Sequence, residues 1–205
     1  MDRMPDIPGA TPLADISGLR KKGIRTRDQL HEAEYANIVA PTAKYLAGRP
    51  SRRTAPFGRT WMLKLHREML GSVWAWAGRV RRTGKNIGVE PYRIEVELEK
   101  LARDLAFWQD SGMDRWEAAA RLHHRAVWIH PFEDGNGRWA RLLTNIWLRQ
   151  QGLPVTRWPE RDIAGGASPV RQAYLEALAS ADDGDYRPLI GLHERHAATD
   201  LEPGA

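Results

Sequence analysis

Twelve consecutive residues, His130-Pro131-Phe132-Glu133-Asp134-Gly135-Asn136-Gly137-Arg138-Trp139-Ala140-Arg141, bring together an imidazole, a carboxylate, a Gly-Asn-Gly turn and two guanidiniums. These are parts for chemistry on a phosphate ester. Glycines let the backbone approach a ligand closely and turn successive N–H groups into one concavity. If Gly135-Asn136-Gly137 opens a helix, its first-turn amides have no partner within that helix and carry partial positive charge. The natural guest is a phosphate chain. Arg138 and Arg141 stand three apart on one helix face, where bidentate guanidiniums suit phosphate oxygens. Asp134 would repel that guest unless a cation such as Mg²⁺ stood between them. His130 can accept a proton from an attacking hydroxyl near neutral pH. Phe132 is the apolar anchor expected to hold the loop in the core.

The surrounding pattern must supply two helices joined by this loop. Asp114 and Glu117 read as a capping box for a helix through Trp116, Ala120, Ala126, Val127 and Ile129. Pro131 pushes the residue before it out of the α region, so this helix should stop at His130. The following helix runs through Leu142, Leu143, Ile146 and Trp147 and ends near Gly152. Earlier, Thr26-Arg27-Asp28-Gln29 is a second capping box, opening a helix that Pro41 bounds or kinks. Trp61 to Leu70 suggests another helix, and Ile94 to Trp108 a third at helical spacing. Between them, Gly78 to Pro91 alternates apolar and polar residues among Gly84, Asn86 and Gly88, the pattern of a β-hairpin. Ser168 with Pro169 in the first turn starts a helix through Ser180, and Tyr186 to His196 reads as the last. The expected fold is all-α with one β-hairpin. It divides into an irregular arm over residues 1–25, one domain over 26–197 and a short tail over 198–205.

The 205 residues suit one domain with a real core. The chain has no cysteine, which excludes disulfides and thiolate metal sites and fits a reducing cytoplasm, the expected location. Residues 1–10 hold no apolar run for a signal peptide, and no membrane-spanning stretch follows. A net charge of +5 suits nucleic acid, an acidic partner or a polyphosphate, or simply a solvated surface.

The run resembles the Fic family motif, His-Pro-Phe-x-Asp/Glu-Gly-Asn-Gly-Arg-x-x-Arg, at every specified position. Trp76-Ala77-Gly78, Arg82-Thr83 and Asn86-Ile87-Gly88-Val89 resemble the lead into that family's β-hairpin flap. Leu122-His123-His124 and Ile129 are similar to its helix before the motif, and Tyr174 with Asp182-Asp183-Gly184-Asp185 to its tail. The likeness covers roughly Thr26 to Leu192. Gly9-Ala10-Thr11-Pro12-Leu13 and Glu34 with Asn37-Ile38 also resemble the small Fic proteins labelled mobile mystery protein B.

The resemblance implies a Fic-fold helical bundle that transfers AMP from ATP to a Ser, Thr or Tyr hydroxyl of a target protein. His130 would be the base and Asp134 would hold Mg²⁺. Gly135, Asn136 and Gly137 would form the anion hole, and Arg138 and Arg141 would hold the distal phosphates. Ile87, Gly88 and Val89 of the flap would hold the target segment as an added strand. Death-on-curing relatives phosphorylate instead and have lysine in place of the second glycine, so Gly137 favours AMP transfer. Many Fic proteins are restrained by Ser/Thr-x-x-x-Glu-Gly/Asn, whose glutamate pairs with the second motif arginine. Thr156 to Glu160 has the spacing, but Arg161 follows. A separate antitoxin, as in a toxin–antitoxin pair, or a variant such as the Glu34 segment is then expected to supply the restraint.

The sequence leaves three alternatives. A Fic-fold enzyme could transfer another phosphate-containing group. A metal-dependent hydrolase could use His123, His124, His130 and Asp134, although adjacent helical residues point about 100° apart. A nucleic-acid module could use Arg52-Arg53, Arg79 to Arg82 and Lys85, but no helix-turn-helix or zinc pattern supports it. Trp128, Trp139 and Trp147 fall at helical positions expected in the core. The oligomeric state is left open.

Overall fold

Side-chain caps start three of the helices where the sequence places them. The Thr26 hydroxyl accepts from the Gln29 amide at 3.2 Å, and the Gln29 side chain accepts from the Thr26 amide at 3.2 Å. This box opens α1 (Arg27–Leu46), which runs through a buried Pro41 instead of ending there. Asp114 accepts from the Trp116 and Glu117 amides at 2.9 and 3.0 Å, and Ser168 accepts from the Arg171 amide at 3.1 Å. Each satisfies amides that a helix start leaves without a partner.

The computed structural model describes residues 18–164 and 168–198. Within them, α1 is followed by α2 (Arg59–Leu70), α3 (Ile94–Asp110), α4 (Arg115–Ile129), α5 (Asn136–Gln150), α6 (Glu160–Ala164), α7 (Pro169–Asp182) and α8 (Arg187–Arg195). A 3-10 turn at Pro91–Arg93 leads into α3. The short α6 has no counterpart in the sequence reading. The Gly9–Leu13 likeness and the tail beyond residue 198 lie outside the described residues.

Helix α5 is the axis of the molecule. Trp139, Ala140, Leu143, Ile146 and Leu148 are fully buried, and Trp147 nearly so. Helices α1, α2 and α4 pack on it, α3 packs on α2 and α4, and α7 and α8 cover another side of α4. Ala118, Ala119, Ala120 and Ala126 are all buried on α4. Ala118, Ala119 and Ala126 belong to the main core, whereas Ala120 joins a second cluster with Tyr174, Leu178 and Leu189. Small side chains on both sides let α4 serve two layers at close approach. Of the tryptophans expected in the core, Trp139 is fully buried and Trp147 nearly so, whereas Trp128 is only half-buried at the core's edge, beneath the Arg125 guanidinium.

The β-hairpin read over residues 78–91 does not form. Among the described residues, β pairing is limited to two single bridges, Leu19 with Trp74 and Thr156 with Ala197. The segment's backbone bonds run sideways to the loop before α5. The Arg81 amide donates to Pro131 O at 2.9 Å, and the Val89 amide to Ile129 O at 3.4 Å. The Thr83 and Val89 carbonyls accept from the Arg81 guanidinium. Alternation would place Ile87 and Val89 on one face, yet Val89 is buried and Ile87 exposed, and the pattern carries no information about which backbone acceptor is nearest.

Replacing Asp114 by Ala should cost about 1 kcal/mol, the usual worth of an N-cap. Urea unfolding should show a lower midpoint with an unchanged slope; an unmoved midpoint would mean that packing alone sets the start of α4.

Candidate functional site

His130 ends α4 in the left-handed conformation, with φ 50° and ψ 60°. The proline after it excludes the right-handed helical region, and left-handed backbone is uncommon for a residue with a Cβ. The turn carries the imidazole out of the α4 spiral. The ring is buried, and among the described residues neither ring nitrogen has a hydrogen-bond partner. Burial, aided by the Arg81 charge, brings its pKa down to about 4. The ring is therefore neutral at physiological pH and can accept a proton.

The loop between His130 and α5 is closed on itself. Asn136 donates to Phe132 O at 2.9 Å and accepts from the Phe132 amide at 2.9 Å. The Asn136 side chain is thus spent on shaping the turn. Phe132 is fully buried and stacks on His66 of α2, with ring centroids 3.6 Å apart. The partners of His66 fix its tautomer. Nδ1 accepts from the Gly78 amide at 2.9 Å, so Nε2 carries the proton and donates to Asp134 O at 3.0 Å. Gly135, with φ 77°, then turns the chain into α5 without a side-chain cap. A Cβ there would meet Leu70 Cδ1 at 2.6 Å. The first-turn amides of α5 are left for a guest.

Both arginines are engaged by carboxylates from distant parts of the chain. Arg138 Nη1 donates to Glu34 Oε2 at 2.7 Å, and its Nη2 lies 3.6 Å from Asp134 Oδ2. Glu34, on α1, is only 1% exposed, and its other oxygen accepts from Trp74 Nε1 at 2.6 Å. Asp134 sits between these charges. Burial raises its pKa against the lowering influence of Arg138, and Glu34 raises it further.

Arg141 grips Glu160 of α6 with two nitrogens, Nε at 2.8 Å and Nη2 more closely. Desolvation opposes the Arg141 charge, but Glu160 and Tyr174 outweigh it and its pKa stands above the usual value. Arg141 also lies over the Tyr174 ring, 5.6 Å from its centroid. From Tyr174 a chain of hydrogen bonds runs inward: its hydroxyl is 2.9 Å from His123 Nε2, His123 Nδ1 is 3.0 Å from His193 Nε2, and His193 Nδ1 is 2.7 Å from Thr156 Oγ1. Both histidines are neutral. Burial lowers both pKa values, that of His193 to about 3.

The structure therefore gathers His130, Asp134, Gly135, Asn136, Gly137, Arg138 and Arg141 at one loop and helix start. It sets Gly88 against His130, where a Cβ on Gly88 would lie 2.5 Å from His130 Cβ. The histidine pair proposed for a metal site is separated. His123 faces His193 and Tyr174, while His124 Nε2 bonds Asp182 at 2.8 Å. No group of three or more His, Cys, Asp or Glu residues among the described residues could hold a metal ion. What remains is the single carboxylate of Asp134, a donor set that suits Mg²⁺ completed by phosphate oxygens and water.

Glu160 corrects the setting aside of the Thr156 to Glu160 segment as a partner for the second arginine. Its following Arg161 does not prevent the pairing, because α6 brings Glu160 to Arg141. His66 was missed altogether, since a histidine inside an amphipathic helix carries no local mark of a loop-pinning role.

A Fic/DOC family model matches residues 56–148, from just before α2 to within α5. The protein adenylyltransferase fic-1 of Caenorhabditis briggsae is 34% identical over 147 residues, 69% of this chain and 27% of that protein. The protein adenylyltransferase Fic of Drosophila ananassae is 34% identical over 134 residues, 63% of this chain and 25% of that protein. The chain thus spans about a quarter of the length of these curated relatives. Among solved structures, Fic-1 from C. elegans superposes with a TM-score of 0.68 at 29% identity, covering 86% of this chain and 50% of that chain. BepC from Bartonella tribocorum, solved with bound AMPPNP, has the same fold, with a TM-score of 0.65 at 20% identity, covering 88% and 91%. With the whole motif assembled at one site, residues 56–148 form a Fic/DOC family domain.

The neutral histidines give the fold an acid limit. His66 and His193 have pKa values of about 3 when folded, against about 6.5 when unfolded. Between these values the unfolded chain binds protons that the folded chain does not, so stability is lost as pH falls below about 6.5. At pH 5 each costs about 2 kcal/mol relative to neutral pH. The thermal midpoint should therefore drop between about pH 7 and pH 5, and His193→Gln should flatten the slope. A midpoint independent of pH over that range would show that these rings are not buried neutral.

Proposed function

We propose that this chain is a protein adenylyltransferase that moves AMP from ATP to a Ser, Thr or Tyr hydroxyl of a target protein. The observation that carries the reading is the neutral, unpartnered His130 imidazole beside an uncapped helix start that is followed by two arginines. The names of the Caenorhabditis and Drosophila relatives point the same way.

In this reading His130 removes the proton from the target hydroxyl. The oxygen attacks the α-phosphorus of ATP in line, the bond to the bridging oxygen breaks, and pyrophosphate leaves with that electron pair. The first-turn amides at Gly135 to Gly137 hold phosphate oxygens, and Arg138 and Arg141 hold the β- and γ-phosphates. Asp134 is the residue that would hold Mg²⁺, which when bound offsets phosphate charge. Catalysis is then mostly positioning and charge stabilisation. Ile87 and Gly88 are open to solvent beside His130, with Val89 buried behind them, and a target segment is aligned along this stretch.

We place the restraint on this activity within the chain. Glu34 and Glu160 occupy the guanidiniums that the distal phosphates need, in place of a helix from a separate antitoxin. A toxin role would then require that these pairs be opened.

The full chain with α-labelled ATP, Mg²⁺ and cell lysate should label protein, and His130→Ala should abolish the label. Label arriving from the γ-phosphate instead would establish kinase chemistry and sink the reading. Glu160→Ala should tighten ATP–Mg²⁺ binding about tenfold by calorimetry, as a charge pair is opened. Unchanged affinity would make Glu160 a support for Arg141 and no restraint.

A further inference from the structure

Arg81 is a buried charge that the proposed chemistry does not use. It is 2% exposed and, among the described residues, makes no carboxylate salt bridge. Burying a guanidinium without a counter-ion is costly unless its donors are met. Here carbonyl oxygens meet them. Nε donates to His130 O at 2.7 Å, Nη1 to Thr83 O at 2.8 Å, and Nη2 closely to Val89 O. The three acceptors come from the end of α4 and from both ends of one exposed loop. Arg82, Thr83, Gly84, Asn86, Ile87 and Gly88 are all open to solvent, whereas Arg81 and Val89 at the loop's ends are buried.

The contacts continue around the guanidinium. The Arg81 amide donates to Pro131 O, and the Val89 amide to Ile129 O. Gly88, with φ 95°, lies close enough that an added Cβ would meet Arg81 Nη2 at 2.8 Å as well as His130 Cβ. Lys85 adds an outer tie to Glu133 at 2.8 Å. His130 itself is in the left-handed region, which is unfavourable for a residue with a Cβ unless its surroundings hold it. The bond from Arg81 Nε to its carbonyl supplies such a hold.

We propose that Arg81 is the positioning residue of this site: it holds His130 in its left-handed conformation and fastens the Thr83–Val89 segment across it, by gathering three carbonyls on one buried guanidinium. The proposal rests on the adenylyltransferase reading only in taking His130 as the base. A guanidinium suits the task because its donors lie in a rigid fork, whereas a lysine ammonium cannot span the three acceptors in one plane. Arg81 touches neither the arginines nor the first turn of α5, so its loss should disturb the base and the flap and leave the phosphate grip alone.

The test uses the full chain with Arg81→Met, Arg81→Lys and Gly88→Ala. For Arg81→Met, kcat for transfer of α-label should fall about 10²-fold, with KM for ATP within about twofold. Arg81→Lys should recover part of that loss. Exchange of the Val89 amide, followed by NMR, should quicken about tenfold in Arg81→Met while the α5 amides stay protected. Gly88→Ala keeps the guanidinium but pushes the flap off His130, and should show the same kcat loss. It carries the test if Arg81→Met fails to fold. Wild-type kcat in a folded Arg81→Met variant, or unchanged Val89 exchange with only a lower Tm, overturns the proposal. If the wild-type chain transfers no label, the adenylyltransferase reading fails, and Val89 exchange alone decides whether Arg81 is the fastener.

Discussion

The constraint behind much of this structure is the concentration of positive charge at the buried start of α5. An uncapped helix terminus already carries partial positive charge, and Arg138 and Arg141 follow it into the interior. Isolated cations cannot be buried at that cost. The fold answers by bringing Glu34 from α1 and Glu160 from α6 to the same few ångströms. Those two helices therefore do more than cover the core. They balance the charge at that helix start, and in the proposed reaction a polyphosphate would compete with them for the same guanidiniums.

The groups around this centre are kept in fixed protonation states by the same logic. His66, His123 and His193 are buried and neutral, and each spends its ring nitrogens on defined partners. The chain of bonds from Tyr174 through His123 and His193 to Thr156 joins α4, α7 and α8, and Arg141 rests over the Tyr174 ring at its outer end. His130 differs in one respect that matters for function. It too is buried and neutral, but its ring nitrogens are unspent.

Much of the fold was legible in the sequence where local rules operate. Thr26, Asp114 and Ser168 cap the helices that their positions announce, and the spacing of Trp139, Leu143, Ile146 and Trp147 buries one helix at the centre. The hairpin failed for a physical reason. Alternating side chains describe which face is buried, yet a ladder needs backbone partners, and those of the 83–89 segment were taken by Arg81 and by the loop before α5. At Pro41 the local rule left two outcomes open, a stop or a kinked continuation, and α1 continues through it with the ring buried.

The sequence by itself determined the content of the site. His130, Asp134, the glycines and the two arginines are fixed in relation to one another by a short loop and one helical turn, so their grouping needs no other part of the chain. Only the tertiary structure decided what surrounds them. Glu34 meets Arg138 across 104 positions of sequence, Glu160 reaches Arg141 although the residue after it breaks the expected pattern, and Arg81 closes over His130 from 49 positions away. Spacing specifies neighbours within a turn or two; partners further off are chosen by helix packing and by the cost of leaving a buried charge unmatched.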